Sequence, residues 1–272
     1  MKIENTFGID AEARALITYD SEEALREALS RIQSQYLGLP ILHVGSGSNL
    51  LFLNDYDGIV LKSNIKGIRL IEEDNDEVLV EVGSGEICDD FIAEAIRRGW
   101  YGMENLSLIP GQIGAAAVQN IGAYGVEACE VISEVKGISL VDGSEQIWKN
   151  TDCKYGYRQS IFKEELWGKF AITRVTFRLS KHFVPKLQYG GLIKAVESHP
   201  LGKGKEGAMQ LRQIIIDIRR AKLPTLPYKV MRVVSSRIQL YQRRKQSSCP
   251  SNTRQCRIIP QKEGLSSWRL VG

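Results

Sequence analysis

The segment Ile109–Gly125, IPGQIGAAAVQNIGAYG, constrains the fold more than any other part of the chain. It carries four glycines and a proline and has no charged residue over its whole length. A surface loop is normally polar, and a regular helix neither opens on Pro-Gly nor keeps glycine inside it. Small residues packed this densely let backbone approach another group closely, while Gln119, Asn120 and Tyr124 add neutral hydrogen-bonding groups. On the residues alone, a binding surface and a tightly packed loop–helix junction in a core are equally good readings.

A second stretch favours the binding surface. His43–Phe52 reads HVGSGSNLLF, an apolar approach followed by Gly45-Ser46-Gly47-Ser48-Asn49 and a second apolar run from Leu50. Consecutive N–H groups in a Gly/Ser turn form a concave anion site that suits a pyrophosphate, although such a turn alone is weak evidence. No Gly-Lys-Ser/Thr follows, and the GxGxxG spacing of a dinucleotide fold is absent.

Together the two stretches resemble the flavin-binding segments of the UDP-N-acetylenolpyruvoylglucosamine reductases of bacterial cell-wall synthesis. The resemblance implies an α+β fold with a two-lobed FAD-binding domain of the vanillyl-alcohol-oxidase/PCMH-like class. It places Gly45, Ser46, Gly47, Ser48, Asn49 and Leu50 against FAD on one side. On the other it places Pro110, Gly111, Gly114, Ala115, Ala116, Gln119, Asn120, Gly122, Tyr124 and Gly125.

Three later segments extend the likeness. Tyr155–Lys163, YGYRQSIFK, matches the family segment with an essential arginine, which falls on Arg158 with Tyr157 beside it. The chemistry asks for such a group: hydride addition to an enol ether bearing a carboxylate builds negative charge, and a planar guanidinium offers fixed donors and keeps its proton. In LQYGGL, Tyr189 takes the place of a loop tyrosine that closes over substrate in one branch of the family. The helix end Arg219-Arg220-Ala221-Lys222-Leu223-Pro224 matches RxxKLP, whose lysine, here Lys222, contacts substrate. Read without the family, these are a hairpin arginine, a turn tyrosine and cations favoured at a helix C-terminus. The implied reaction is NADPH-dependent reduction, through FAD, of UDP-N-acetylglucosamine enolpyruvate to UDP-N-acetylmuramate.

After Pro224 the likeness stops. The family continues with GNAGSFFKNP, whose serine is the proton donor, then MPHYP and VKL…AGW segments; none is present. If each codon began one base earlier, Thr225–Gln242 would read DSTVQGNAGSFFKNPIVP with permitted synonymous codons. Cys256–Pro260 would read MPHYP and Leu265–Gly272 VKLxAAGW. A single lost base near the Pro224 codon accounts for all three, with Val234 where the serine belongs. The expected organisation is therefore lobe 1 over 1–65, lobe 2 over 66–224, and an aberrant tail over 225–272 replacing the substrate-binding domain.

Charge agrees with that division. The tail carries ten Lys/Arg against Glu263 alone, a net of +9, whereas residues 1–224 carry a net of −5. The body suits a mildly acidic cytoplasmic enzyme, and the resemblance implies a small UDP-sugar substrate and a monomer. A non-catalytic FAD-binding remnant is the alternative; a nucleic-acid-binding role for the basic tail, or another oxidase of the flavin class, fits the motifs less well. No apolar run of some 18 residues suggests a membrane span. Five cysteines without CxxC spacing and three histidines indicate reduced thiols and no metal centre.

Local patterning predicts helices over 21–36, 87–98 and 209–222 from apolar residues at helical spacing, the first capped by Asp20 or Ser21 and the second stopped by Gly99. It predicts strands over 77–82, 131–141 and 170–179, a strand leading into the Gly45 turn, and a turn at Asp142-Gly143.

Overall fold

The structure, a computed structural model, describes residues 1–222 and 239–241. Val234 and the tail other than 239–241 lie outside the described residues. The elements run β1 (Ala13–Tyr19), α1 (Glu22–Gln35), β2 (Ile41–Val44), β3 (Leu50–Phe52), β4 (Tyr56–Ser63), β5 (Ile68–Glu73), β6 (Glu77–Gly83), α2 (Cys88–Arg98), α3 (Ile113–Gln119), β7 (Gly122–Ala123), β8 (Val126–Glu127), β9 (Ile132–Ser139), β10 (Glu145–Lys149), β11 (Phe170–Ser180), α4 (Gly190–Ser198), α5 (Gly204–Lys222) and β12 (Gln239–Tyr241). The mixture is α+β, as the motifs implied.

Strands β1, β4 and β2 form a parallel sheet in that order. β1 and β2, parallel on either side of β4, require a crossover between them, and α1 supplies it. Ser21 caps α1, its hydroxyl oxygen accepting from Ala24 N at 3.0 Å. Leu25, Ala28, Leu29 and Ile32 recur on one face and are buried, each large side chain contributing about 1.5–3 kcal/mol. The second sheet, β10-β9-β11-β6-β5, is antiparallel throughout. Val78, Val80 and Val82 of β6 alternate inward onto Phe91, Ile92, Ala95 and Ile96 of α2. Gly99 ends α2 in the left-handed conformation at φ 82°.

The two sheets are not independent bodies. Ile138, Leu140 and Ala171 of the second-sheet region share a core with Leu25, Leu29 and Ile59 of the first. Over that core, Thr173 donates to Glu22 at 2.9 Å and Lys136 pairs with the same carboxylate at 3.1 Å. On the opposite flank α5 is pinned to α2: Arg212 forms a two-pronged pair with Asp89 at 2.5 and 3.0 Å, and Leu108 N donates to the same carboxylate at 2.6 Å. Burial alone would raise the Asp89 carboxyl, but Arg212 and the Leu108 N–H outweigh it and hold it below the ordinary range.

Several elements differ from the sequence expectation. The Ile109–Gly125 segment does contain a helix, α3, with Gly114 in its first turn. Glycine is tolerated there because a Cβ at position 114 would lie 2.8 Å from Ser84 Cβ. Helix α5 starts at Gly204 rather than Met209, and α4 is not predicted: Tyr189, expected in a loop or turn, stands at its N-cap. Strands β5 and β10 went unpredicted: both are sheet edges with largely exposed residues and no clean alternation. Among the described residues after α5, β12 lies parallel to β3 along Leu50–Phe52.

Candidate active site

The loop leaving β2 and the segment leading into α3 meet face to face. A Cβ on Gly45 would sit 3.2 Å from both Ala115 Cβ and Gln112 Oε1, so the contact is close because position 45 has no side chain. Gly47, at φ +64°, packs its α-carbon against Glu4 O, which a Cβ would approach to 2.6 Å. Across the junction Ser48 Oγ donates to Pro110 O at 3.2 Å and Asn49 Nδ2 donates to Gln119 Oε1 at 2.7 Å. Gln112 Nε2 reaches both Ser63 O at 3.2 Å and Gly85 O at 3.1 Å, fastening the two sheets beneath the loops. Ser63 and Ser84 share a hydroxyl–hydroxyl hydrogen bond at 2.7 Å directly below.

Above this floor opens a cleft between the two loop segments. Of the residues expected at a cofactor, Ser48, Asn49, Pro110, Gly111, Ala115, Ala116, Gln119 and Gly122 line it, and so does Arg158. Gly45, Gly47 and Gly114 act from behind, as close-packing positions. Asn120 caps α3 in the left-handed conformation at φ 43° and is fully buried. Its side chain donates to Glu127 Oε2 at 2.7 Å and Gly156 O at 3.0 Å and accepts from Cys129 N at 2.9 Å. All its polar capacity but one lone pair is therefore used inside the protein. Ser46, Leu50, Tyr124, Gly125, Tyr157, Tyr189 and Lys222 stand outside the cleft wall.

Arg158 enters the cleft from a tight turn closed by reciprocal bonds between Gly156 and Gln159. Its backbone holds φ +57°, a left-handed conformation that costs a side-chain-bearing residue on the order of 1 kcal/mol. Two contacts keep it there: Arg158 Nη2 donates to Gly122 O at 2.5 Å, and Lys163 Nζ donates to Arg158 O at 2.8 Å. Its Nε is buried without a hydrogen-bond partner.

Arg219 shares the wall and the same condition, a buried Nε with no partner. Burial lowers its affinity for a proton, partly countered by Tyr124. Tyr124 in turn meets Tyr189 edge to face at 5.4 Å, so the expected lid tyrosine sits at the cleft's margin. Tyr157 is 63% exposed. Lys222, one helical turn beyond Arg219, ends α5 and is exposed.

Sequence reasoning missed Gln112, Cys88 and Arg219. Gln112 lay in plain view inside IPGQIG, but what it bonds to is 27 and 49 residues away. Cys88 lines the cleft yet is buried, which pushes its thiol up to about 12, far from a reactive thiolate at neutral pH. Arg219 had been explained as a cation at a helix end; its burial is what marks it.

Among the described residues the wall thus carries two arginines and no carboxylate. Buried cationic donors without partners are costly unless a ligand completes them, so the cleft suits an acceptor-rich, anionic group. FAD, with its diphosphate, carries such a group, and the side-chain-free Gly111 on the wall leaves room for backbone to reach it. Among the described residues no group of three or more His, Cys, Asp or Glu is placed to hold a metal. None of the described helices is long and apolar enough to cross a membrane.

Comparison with known proteins points the same way. A family model described as FAD binding domain matches residues 13–149, which span the first sheet, the floor and the α3 wall. A UDP-N-acetylenolpyruvoylglucosamine reductase of Bacteroides fragilis (strain YCH46) is 44% identical over 220 residues, 81% of this chain and 64% of its own length. The protein of that name from Neisseria meningitidis serogroup A is 42% identical over 220 residues, 81% of this chain and 63% of its own. The chain therefore spans a little under two thirds of these curated relatives. Among solved structures, UDP-N-acetylenolpyruvylglucosamine reductase from Thermus caldophilus superposes with a TM-score of 0.57 at 22% identity, over 81% of this chain and 67% of that one. Cholesterol oxidase from B. sterolicum does so at 0.50 and 10%, over 67% and 37%. At those identities the superpositions speak for the fold alone. By fold, cleft and family match, this chain belongs to the FAD binding domain family, and its cofactor is FAD.

Proposed function

We propose that this chain carries the flavin-binding part of a UDP-N-acetylenolpyruvoylglucosamine reductase, the NADPH-dependent enzyme that forms UDP-N-acetylmuramate for the cell wall. The observation that carries the reading is the pairing of Arg158 and Arg219 in a cleft with no carboxylate among its described residues, each with a buried unpartnered Nε, in a chain whose relatives bear that name. Bound FAD supplies the hydride chemistry between NADPH and the enolpyruvyl double bond. The chain's own groups bind and orient. The Gly45–Leu50 loop and the Pro110–Gly125 segment hold the cofactor. Arg158, fixed by Gly122 O, offers its free guanidinium edge to the substrate carboxylate, where charge accumulates as hydride arrives. Tyr157, Tyr189 and Lys222 contact the UDP-sugar from the rim, Lys222 as a point charge for phosphate.

Hydride addition to one carbon of the double bond leaves a carbanion at the other, which must receive a proton. The family's serine would do so, and Val234 cannot. The proposed organisation is lobe 1 to about residue 65, lobe 2 to 224 and an out-of-frame tail beyond, in a cytoplasmic monomer. The chain as written then binds FAD but turns over poorly.

Reinserting one base at the Pro224 codon, so that GNAGSFFKNP is restored, tests this. NADPH consumption with UDP-N-acetylglucosamine enolpyruvate is expected to rise by at least about 10²–10⁴-fold over the present chain, the range for a missing general acid. Equal rates from both chains would remove the proton-donor argument. An in-frame, FAD-loaded protein that leaves the substrate unreduced would remove the reductase reading.

A further inference from the structure

Asp89, in the first turn of α2, accepts from Leu108 N at 2.6 Å and takes the guanidinium of Arg212 in a two-pronged pair. Neither Asp89 nor Arg212 lines the cleft. Each of these bonds leads to residues that do. Leu108 stands at φ +58°, which costs a side-chain-bearing residue on the order of 1 kcal/mol, and its N–H is committed to Asp89. The next three residues, Ile109, Pro110 and Gly111, are cleft wall. The far end of that turn is tied to the same helix, because Cys88 N donates to Gly111 O at 3.0 Å. The first two residues of α2 thus grip the turn at both ends.

Arg212 leads to the second wall. It lies on α5 two helical turns before Arg219 and on the same face. Leu211 and Ile215 pack α5 into an apolar cluster, and such contacts are non-directional, whereas a bidentate guanidinium–carboxylate pair has one geometry. With 17% and 20% of the two side chains exposed, this pair is shielded from water and is no ordinary surface ion pair. Burial lowers the affinity of Arg219 for its proton and Arg158 adds repulsion, while Tyr124 and Asp89 act in the opposite direction.

We propose that Asp89 and Arg212 are positioning residues of the cofactor site: their ion pair sets the register of α5 so that Arg219 stands where the anionic part of FAD binds, and the same carboxylate fixes the Ile109–Gly111 turn. Arg212 acts through Arg219 alone, and Asp89 acts through both walls. The inference rests on FAD occupying this cleft.

Fluorescence titration of the apoprotein, tail included, with FAD tests this in a double-mutant cycle. Arg212→Ala is expected to raise Kd about tenfold and Arg219→Ala at least as much, whereas adding Arg212→Ala to Arg219→Ala should change Kd by no more than about twofold. Arg212→Lys, which keeps a charge but not the two-pronged geometry, should fall between Arg212→Ala and the unsubstituted chain. Asp89→Asn should still weaken binding severalfold in the Arg219→Ala background, through the turn. Effects of Arg212→Ala and Arg219→Ala that multiply in the double variant would overturn the proposal, since a general loss of stability has that signature. An unchanged Kd for either single variant would overturn it too. Thermal midpoints of the apoproteins report on folding; if Arg212→Ala is unfolded, Arg212→Gln takes its place in the cycle with the same expected outcome. Absence of FAD binding by the unsubstituted chain strikes the cofactor assignment instead, so the two failures are distinct.

Discussion

Replacing Arg158 with alanine in the frame-restored protein is expected to lower kcat by about 10²–10³-fold, the usual cost of deleting one donor that stabilises developing negative charge. The effect should fall mainly on kcat, because the guanidinium is asked to bind charge that appears in the transition state rather than in the bound substrate. Arg158→Lys is expected to recover little: an ammonium cannot keep the bond to Gly122 O and also present a second donor edge to the cleft. Stability should separate from activity. Arg158 sits at φ +57°, where glycine is at ease, so Arg158→Gly should be more stable than Arg158→Ala by about 1 kcal/mol while equally inactive. Thermal melts and steady-state kinetics on the three variants check both parts. A kcat for Arg158→Ala within a few-fold of the parent would take this residue out of the chemistry.

Gly83→Ala is expected to destabilise the fold more than any other single methyl added at the junction of the two sheets. The Cβ would stand 2.3 Å from Ile65 O, 2.8 Å from Ile65 C and 2.9 Å from Lys66 C. These are backbone atoms, and they are not free to move. Gly83 N donates to Gly67 O at 2.9 Å and Gly85 N donates to Ile65 O at 2.9 Å, so the two chains are laced together where they collide. Overpacking against fixed backbone costs about 3 kcal/mol or more, a fall in Tm of roughly 6–12 °C for a chain of this size. Gly125→Ala makes the comparison. Its φ of +81° is unfavourable to alanine but nothing lies within 4 Å of the added atom, so the cost should stay near 1 kcal/mol. If both variants melt together, close packing is not what the glycine at position 83 provides.

Much of the fold was legible because its signals are local. Ser21 and Gly99 mark helix ends by chemistry that operates within one turn, and Leu25, Leu29 and Ile32 record a buried face at helical spacing. The alternation of Val78, Val80 and Val82 does the same for a central strand. What stayed hidden depends on partners distant in the chain. Glu72 and Glu73 in β5 give no strand signal because an edge strand buries little. Gly114 looked like a helix breaker until its contact with Ser84 explained it. The cleft itself was legible in outline, through two small-residue segments and a family likeness that named Arg158. The bonds that assemble it were not, since Asn49 and Gln119 lie 70 residues apart. Arg219 shows the limit best: the sequence offered an adequate reason for a cation at that helix end, and only burial beside Arg158 supplied another.

The most direct test of the central claim, that this cleft between two sheets is a flavin site, is titration of the purified apoprotein with FAD, followed by flavin fluorescence and visible circular dichroism. The account predicts saturable binding at one equivalent, with flavin fluorescence altered and an induced visible signal, even in the chain bearing the present tail. A folded apoprotein that leaves both signals unchanged at FAD concentrations well above its own would contradict it.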